Sequence, residues 1–226
     1  MNQFEDEYWN SIFNLRVVGY ILLLLAAIDV VNIFLPWHFT NAVWEFQMLG
    51  ALVEHAPLPL IALILVFFGE RVYRDKREIY LLKILSWSAL LAGIGFILLL
   101  PLGIHNTLRI NNQNLIQINN QSSQQITQIR QAKSLLNQAK NTEDINKIFK
   151  SLNPQKNTPE LQEPQKLKNE LLLQMGQLET KISNQAKAAK NNTYDDLIRN
   201  SVKWNLGALI CAFAFVWMWY ATYWAR

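Results

Sequence analysis

The chain has 226 residues, a formal net charge of +4 and a single cysteine, Cys211. One cysteine excludes a disulfide within the chain, and the scattered basic residues argue against a nucleic-acid interface. No Cys/His spacing of a metal site and no nucleophile, phosphate-loop or dinucleotide motif occurs, so we expect a non-enzymatic protein without a cofactor.

The first apolar segment comprises residues 17–35 and follows an acidic N-terminus. A helix of this length spans ~28 Å, close to the ~30 Å hydrocarbon core of a bilayer. The segment leads into Pro36 and Trp37 instead of a small-residue cleavage site, so we interpret it as a retained transmembrane helix and not as a signal peptide. Thr40 and Asn41 predict the cap of a short surface helix over residues 42–47.

The second apolar segment comprises residues 49–69 and is less uniform than the first. Glu54 and His55 place ionisable groups in its first half, and Pro57 and Pro59 follow them. Each proline removes a backbone donor, so we predict a second transmembrane helix that is kinked or distorted in its first half.

The third and fourth apolar segments comprise residues 79–102 and 203–226. Small residues four positions apart predict close helix packing in both of them: Ala89, Gly93, Gly207 and Cys211. Pro101 and Gly103 are expected to break or bend the chain at the end of the third segment. The fourth segment ends in an aromatic belt, which is typical of a membrane boundary.

The charge of the short loops predicts the orientation of these segments. The loop between the second and third segments contains Arg71, Arg74, Lys76 and Arg77, whereas the loop between the first and second contains no Lys or Arg. The positive-inside rule therefore places both termini in the cytoplasm. Residues 105–202 then lie on the extracytoplasmic side of the membrane.

Residues 105–202 form a polar arm in which thirty residues are Asn or Gln. A weak apolar seam with near-heptad spacing predicts two helices that pack together. Its main members are Leu115, Ile129, Leu136, Leu171, Met175, Leu178 and Ile182. The prolines near residues 153–164 predict a turn, and hence an antiparallel helical hairpin, with disorder as the alternative. Because the seam is thin, we expect the arm to pack on other copies or on a partner.

The predicted fold is therefore an all-α membrane protein with four transmembrane helices. Residues 1–104 form a membrane domain with three of these helices, and residues 203–226 form the fourth. The extracytoplasmic hairpin of residues 105–202 connects them. Membrane lipid is the expected environment of the four helices.

Three ionisable residues in the apolar segments are candidates for a site: Asp29, Glu54 and His55. With the orientation above, all three approach the outer side of the membrane and can meet there. Such residues usually face protein or water, because a charge in the hydrocarbon is costly. We interpret them chiefly as a structural contact or as residues wetted at the headgroup level, with a proton-responsive or ligand-binding cluster as the alternative.

Several stretches carry a resemblance to a known family. They are LRVVGYILLLLAAIDVVNIFLP, WEFQMLGALVEHAPLPLIALILVFFGE, LLKILSWSALLAGIGFILLLPLGI and RINNQNLIQI. In these stretches the chain resembles the HpsJ-like membrane proteins of cyanobacteria. The resemblance implies a membrane protein linked to the production of exported hormogonium polysaccharide, and in some relatives to exosortase systems, without enzymatic activity of its own.

The sequence is compatible with three functions. The leading hypothesis is a scaffold that self-assembles or organises a membrane complex through the polar arm. The others are a sensor that binds a ligand through its extracytoplasmic helices, and a small transporter or assembly subunit, for instance of a thylakoid complex, that uses the ionisable residues.

Overall fold

A computed structural model describes residues 3–69, 74–139 and 164–226, and the regular structure in these ranges is entirely helical. The helices are α1 (Gln3–Phe34), α2 (Ala42–His55), α3 (Pro57–Phe67), α4 (Lys76–Gln138) and α5 (Pro164–Ala221), followed by a 3-10 turn at Tyr223–Ala225. The chain divides into two compact units. Unit 1 consists of residues 1–110 and 196–226, and unit 2 consists of residues 111–195.

The ends of α1 and α2 follow from local sequence. The helix α1 stops at Phe34 because the next residue precedes Pro36, and a residue before proline avoids the helical conformation. The Oδ1 atom of Asn41 accepts hydrogen bonds from the backbone N–H groups of Val43 (2.9 Å) and Trp44 (3.4 Å). The predicted cap is present, but the helix that it begins continues to His55 instead of ending near residue 47.

The second apolar segment is divided at Ala56, where the prolines predict a distortion. The helix α2 ends at His55 and α3 begins with Pro57 at its first position, where the missing N–H group has no helical partner to lose. The helix α3 has 11 residues. It ends at Phe67, after which Gly69 adopts a φ of +77°.

The expected break at Pro101 is wrong, because α4 continues through this residue. Its neighbours on the same helix are held by packing: the Phe96 ring stacks on Phe215 with centroids 5.7 Å apart. The Thr107 hydroxyl donates to the carbonyl oxygen of Gly103 (2.8 Å). A proline is tolerated in a helix whose surroundings fix it in this way. The helix α5 likewise runs without a break through the polar residues 191–193.

The core of unit 1 lies between α3, α4 and α5. It is a cluster of buried residues that contains Ala56, Leu63, Val66, Phe67, Leu82, Ala89, Phe96, Ala208, Cys211, Ala212, Phe215 and Ala225. Tyr20 and Leu23 of α1 pack against this cluster. The helix α1 also approaches α3 closely, since an added Cβ at Gly19 would lie 2.9 Å from the backbone nitrogen of Val66.

Four helical stretches are long and apolar enough to cross a membrane, and α2 and α3 together form one of them: Trp9–Phe34, Ala42–Phe67, Lys76–Gln138 and Lys168–Ala221. Each predicted apolar segment overlaps one of these stretches. Between 11% and 33% of the residues in the most apolar windows of these helices are buried. A large apolar surface is therefore left uncovered within the part of the chain that the structure describes.

Unit 2 is a pair of helical stretches from α4 and α5. Its core contains the buried residues Ala132, Leu136, Leu171 and Met175, flanked by Ile129, Ala139 and Leu172. Glu179 of α5 lies 3.7 Å from the Nε atom of Arg130, and Lys168 donates to the carbonyl oxygen of Asn137 (2.8 Å). Residue numbers rise along one helix as they fall along the other, so the two stretches run in opposite directions.

The predicted seam and turn of the polar arm are placed as follows. Leu136, Leu171 and Met175 lie in the buried core of unit 2, and Ile129 packs beside it. Leu115 and Ile182 are half-buried, whereas Leu178 is 47% exposed and its neighbour Glu179 faces α4 instead. The predicted turn near residues 153–164 lies outside the described residues, apart from Pro164, at which α5 begins.

Candidate functional site

The end of α3 carries a pair of buried arginines. The last carbonyl groups of a helix have no partner within it and need donors from elsewhere. Arg16 donates to the carbonyl oxygens of Phe68 (3.2 Å) and Gly69 (2.8 Å). Arg74 donates to those of Val66 and Phe68, both at 3.1 Å. We call these two residues the arginine cap.

Glu78 balances the charge of the arginine cap. Its Oε1 atom lies 3.0 Å from Arg74 and 3.7 Å from Arg16, and the two arginine side chains are 3% and 8% exposed. Arg74 also lies over the ring of Trp224, 5.1 Å from its centroid. Sequence reasoning used Arg74 only to orient the chain, because its role depends on where α3 ends.

The predicted ionisable cluster is brought together in part. Asp29 of α1 and His55 of α2 meet, with Oδ2 and Nδ1 3.5 Å apart. Glu54 turns to α5 instead and accepts hydrogen bonds from Lys203 (2.7 Å) and from the indole N–H of Trp204 (3.2 Å). The four charged side chains stay between 39% and 63% exposed, so the arrangement is a pair of surface contacts and not a buried site.

A polar layer that sequence reasoning missed lies where α2 contacts α4 and α5. Asn106 is fully buried, and its side-chain amide donates to Glu45 (2.7 Å). The buried hydroxyl groups of Thr107 and Ser201 lie 2.8 Å apart. These residues belong to unit 1, although their sequence assigned them to the polar arm. The signal that could have found them is the spacing of Asn106 and Ile110 on one face of α4.

A small apolar core accompanies this polar layer. It contains Ala42 and Phe46 of α2, Ile110 of α4 and Leu197 of α5, with Trp204 packed against it. The Phe46 and Trp204 rings have centroids 4.6 Å apart. The helix α2 is therefore held to unit 1 by its own hydrophobic contacts.

The small residues predicted for helix packing lie at the contact between α5 and its neighbours. An added Cβ at Gly93 would lie 2.8 Å from Cγ2 of Val216, and one at Gly207 would clash with Cγ1 of Val53. Ala89 and Cys211 are buried in the core of unit 1. In the described ranges, no three His, Cys, Asp or Glu side chains lie close enough to hold a metal ion.

In the ranges that the structure describes, the protein is all-helical and has four helical stretches that are long and apolar enough to cross a membrane. The model of the HpsJ-like protein family matches residues 10–223, and the chain therefore belongs to this family. Comparison with curated proteins and with solved structures gave no match.

Proposed function

We propose that this HpsJ-like protein is a non-enzymatic scaffold of the membrane whose polar arm binds other copies of the same chain. Most of the residues in the most apolar windows of the four helical stretches are not buried in unit 1. An exposed apolar surface of this size needs a partner, and lipid would cover it if the helices were inserted in a bilayer. The pairs Asp29–His55, Glu54–Lys203 and Glu45–Asn106 of unit 1 are contacts between helices, and such contacts suit a structural role.

The observation that carries the proposal is the short core of unit 2. Among the described residues of unit 2, four buried side chains hold its two helices together, whereas Leu135, Leu173 and Ile116 are 56–63% exposed. Further along the pair, a groove between the helices is lined by two isoleucines and otherwise by polar and small residues: Ile118, Gln121, Ser122, Gln125, Ile182, Gln185, Ala186 and Ala189. A helix pair with so few buried side chains is marginal by itself and gains stability from a partner.

The proposed topology joins the helices of unit 2 into a hairpin on the extracytoplasmic side, with both termini in the cytoplasm. The distribution of Lys and Arg in the short loops supports this orientation. The resemblance to the cyanobacterial members of the family supports a place beside the machinery for exported polysaccharide, in the plasma membrane or in the thylakoid. The alternative is that the polar arm binds a second membrane protein.

Replacing Leu135 and Leu173 with Gln is expected to convert an assembly into single copies. Both side chains are exposed, so the change removes apolar surface while altering the stability of unit 2 by no more than about 0.5 kcal/mol. The measurement is the particle mass in lipid nanodiscs for the wild-type protein and for the double variant.

The control for this experiment is Gln177→Ala, which changes an exposed polar residue of the same helix. We expect the wild-type protein and the control to give the mass of an oligomer and the double variant to give the mass of a monomer. A wild-type protein that is monomeric would overturn self-assembly, and a double variant that remains oligomeric would exclude the arm as the binding surface.

A transporter subunit is the second candidate, because Asp29 and His55 do meet between α1 and α2. We expect Asp29→Asn combined with Glu54→Gln to leave the assembly intact, since exposed ion pairs contribute only about 0–1 kcal/mol. The measurement is the particle mass together with the phenotype of a strain that carries the double variant. A lost phenotype with unchanged mass and thermal stability would favour transport over a scaffold.

A further inference from the structure

Four exposed ionisable residues of unit 1 form two linked pairs. Asp29 lies against His55, and Glu54 lies against Lys203. Because Glu54 and His55 are adjacent in the chain, the pairs join α1, the end of α2 and α5 at a similar height. We call these four residues the charged girdle.

The charged girdle is incompatible with the interior of a bilayer. A single charged residue at the centre of the hydrocarbon costs ~2.5–3.5 kcal/mol on insertion scales. The girdle side chains are 39–63% exposed, so they would face lipid and not protein. The indole N–H of Trp204 donates to Glu54, and tryptophan is enriched at the level of the lipid headgroups.

We infer that the charged girdle marks the outer boundary of the hydrocarbon, where its side chains contact lipid headgroups, and that α2 lies outside the bilayer. The inference rests on the proposed insertion of unit 1 in a membrane. Length and composition alone would instead make Ala42–Phe67 a single membrane span.

Helix lengths measured from the girdle agree with the thickness of a bilayer. From Asp29 back to Trp9, α1 covers ~30 Å, and from Lys203 to Ala221, α5 covers ~27 Å. The hydrocarbon core is ~30 Å thick. A span from Ala42 to Phe67 would instead be ~38 Å long and would hold Glu54 and His55 near its middle.

The arginine cap fits this placement. The end of α3 lies beside Trp224, since the Phe67 and Trp224 rings have centroids 6.1 Å apart and Arg74 lies over the Trp224 ring. The last carbonyl groups of α3 are therefore near the end of α5. Backbone groups that protein and lipid shield from water have to be satisfied by the protein itself. Arg16 and Arg74 supply the donors that water provides to helices ending in solvent.

The first half of α2 has the contacts of a water-soluble helix, whereas Leu52 and Val53 near its end pack against the core of unit 1. It is anchored by the small core of Ala42, Phe46, Ile110 and Leu197, and by the buried hydrogen bond between Glu45 and Asn106. The Asn41 cap and Gln47 are exposed. Together with the adjoining turns of α4 and α5, α2 forms a compact cover on the outer surface of the membrane.

Cysteine labelling in the full-length protein tests the boundary. Four single-cysteine variants are made in a Cys211→Ala background: Glu54→Cys, His55→Cys, Ile61→Cys and Ile64→Cys. Each is reconstituted in lipid vesicles that are permeabilised, so that the probe reaches both faces of the bilayer. Ile61 and Ile64 are 52% and 55% exposed, and the girdle side chains are exposed to a similar extent. A difference in labelling between the two sets of positions therefore reports on the bilayer and not on burial in the protein. The probe is a charged, membrane-impermeant maleimide, added with and without detergent.

We expect the cysteines at residues 54 and 55 to label fully in vesicles, and those at residues 61 and 64 to label only after detergent is added. Loss of labelling at both 54 and 55 in vesicles, with full labelling in detergent, would overturn the boundary and leave the insertion intact. Equal labelling at all four positions in vesicles would instead overturn the insertion itself. Two adjacent girdle positions are used so that a folding defect in one variant does not decide the result.

Discussion

Replacing Arg74 with Met is expected to lower the free energy of unfolding of unit 1 by about 3–5 kcal/mol, the usual cost of removing one partner of a buried ion pair. The Arg74 side chain is 3% exposed and pairs with Glu78 at 3.0 Å. Its loss leaves Glu78 with only the longer contact to Arg16, and it removes donors from the carbonyl oxygens of Val66 and Phe68. Methionine retains much of the apolar stem, so the effect reports on the charged group.

Arg77→Met provides the matched control, because Arg77 is exposed and lies three residues along the chain. Its effect should stay within about 0.5 kcal/mol. Glu78→Gln should destabilise unit 1 in the same direction as Arg74→Met, since it leaves two neighbouring guanidinium groups without a counter-charge. Thermal unfolding in detergent, followed by circular dichroism, measures all three variants. Equal melting temperatures for Arg74→Met and Arg77→Met would contradict a structural arginine cap.

The arginine cap illustrates what composition and spacing leave out. The apolar segments were predicted from length and hydropathy, because these quantities depend only on neighbouring residues. The cap depends on the point at which α3 ends, and on the return of the chain that brings Arg74 and Arg16 to the same carbonyl groups. No spacing in the sequence encodes a contact between residues so far apart.

The prolines led to one correct and one wrong prediction, because the effect of a proline depends on its position and on the packing around it. At Pro57 the chain begins a new helix, because proline fits the first helical position. At Pro101 the helix continues, because Phe96 and Gly103 on either side are fixed against α5 and leave no room for the chain to turn. A single-sequence prediction contains no tertiary packing and treats the two residues alike.

The candidate residues show a similar division. The contact of Asp29 with His55 follows from helix order and depth, both of which the sequence supplies. The partner of Glu54 is Lys203, which lies beyond the whole polar arm, so its identity requires the packing of α2 on α5. In unit 2, the near-heptad spacing predicted Leu178, three residues after Met175, as a member of the seam. In the structure Glu179, four residues after Met175, faces Arg130 instead.

Replacing Gly93 with Leu is expected to disrupt the packing of α4 on α5 and to lower the yield of folded protein severely. An added Cβ alone would lie 2.8 Å from Cγ2 of Val216 and 3.2 Å from the carbonyl oxygen of Ala212. Overpacking by even a few atoms costs about 1–3 kcal/mol, and a leucine adds more atoms than the contact can accept. Small residues allow helices in a membrane to approach closely, so the loss falls on the packing that unit 1 depends on.

Gly95 gives the matched control, since it lies in the same helix and an added Cβ there meets no heavy atom within 4 Å. Gly95→Leu should fold as well as the wild-type protein, and Gly95→Ala should be more stable by about 0.5–1 kcal/mol, because glycine is unfavourable within a helix. Size-exclusion chromatography and thermal unfolding in detergent measure these variants. If Gly93→Leu and Gly95→Leu fold equally well, then α4 and α5 do not meet at Gly93. If both fail, helix insertion and not packing limits folding.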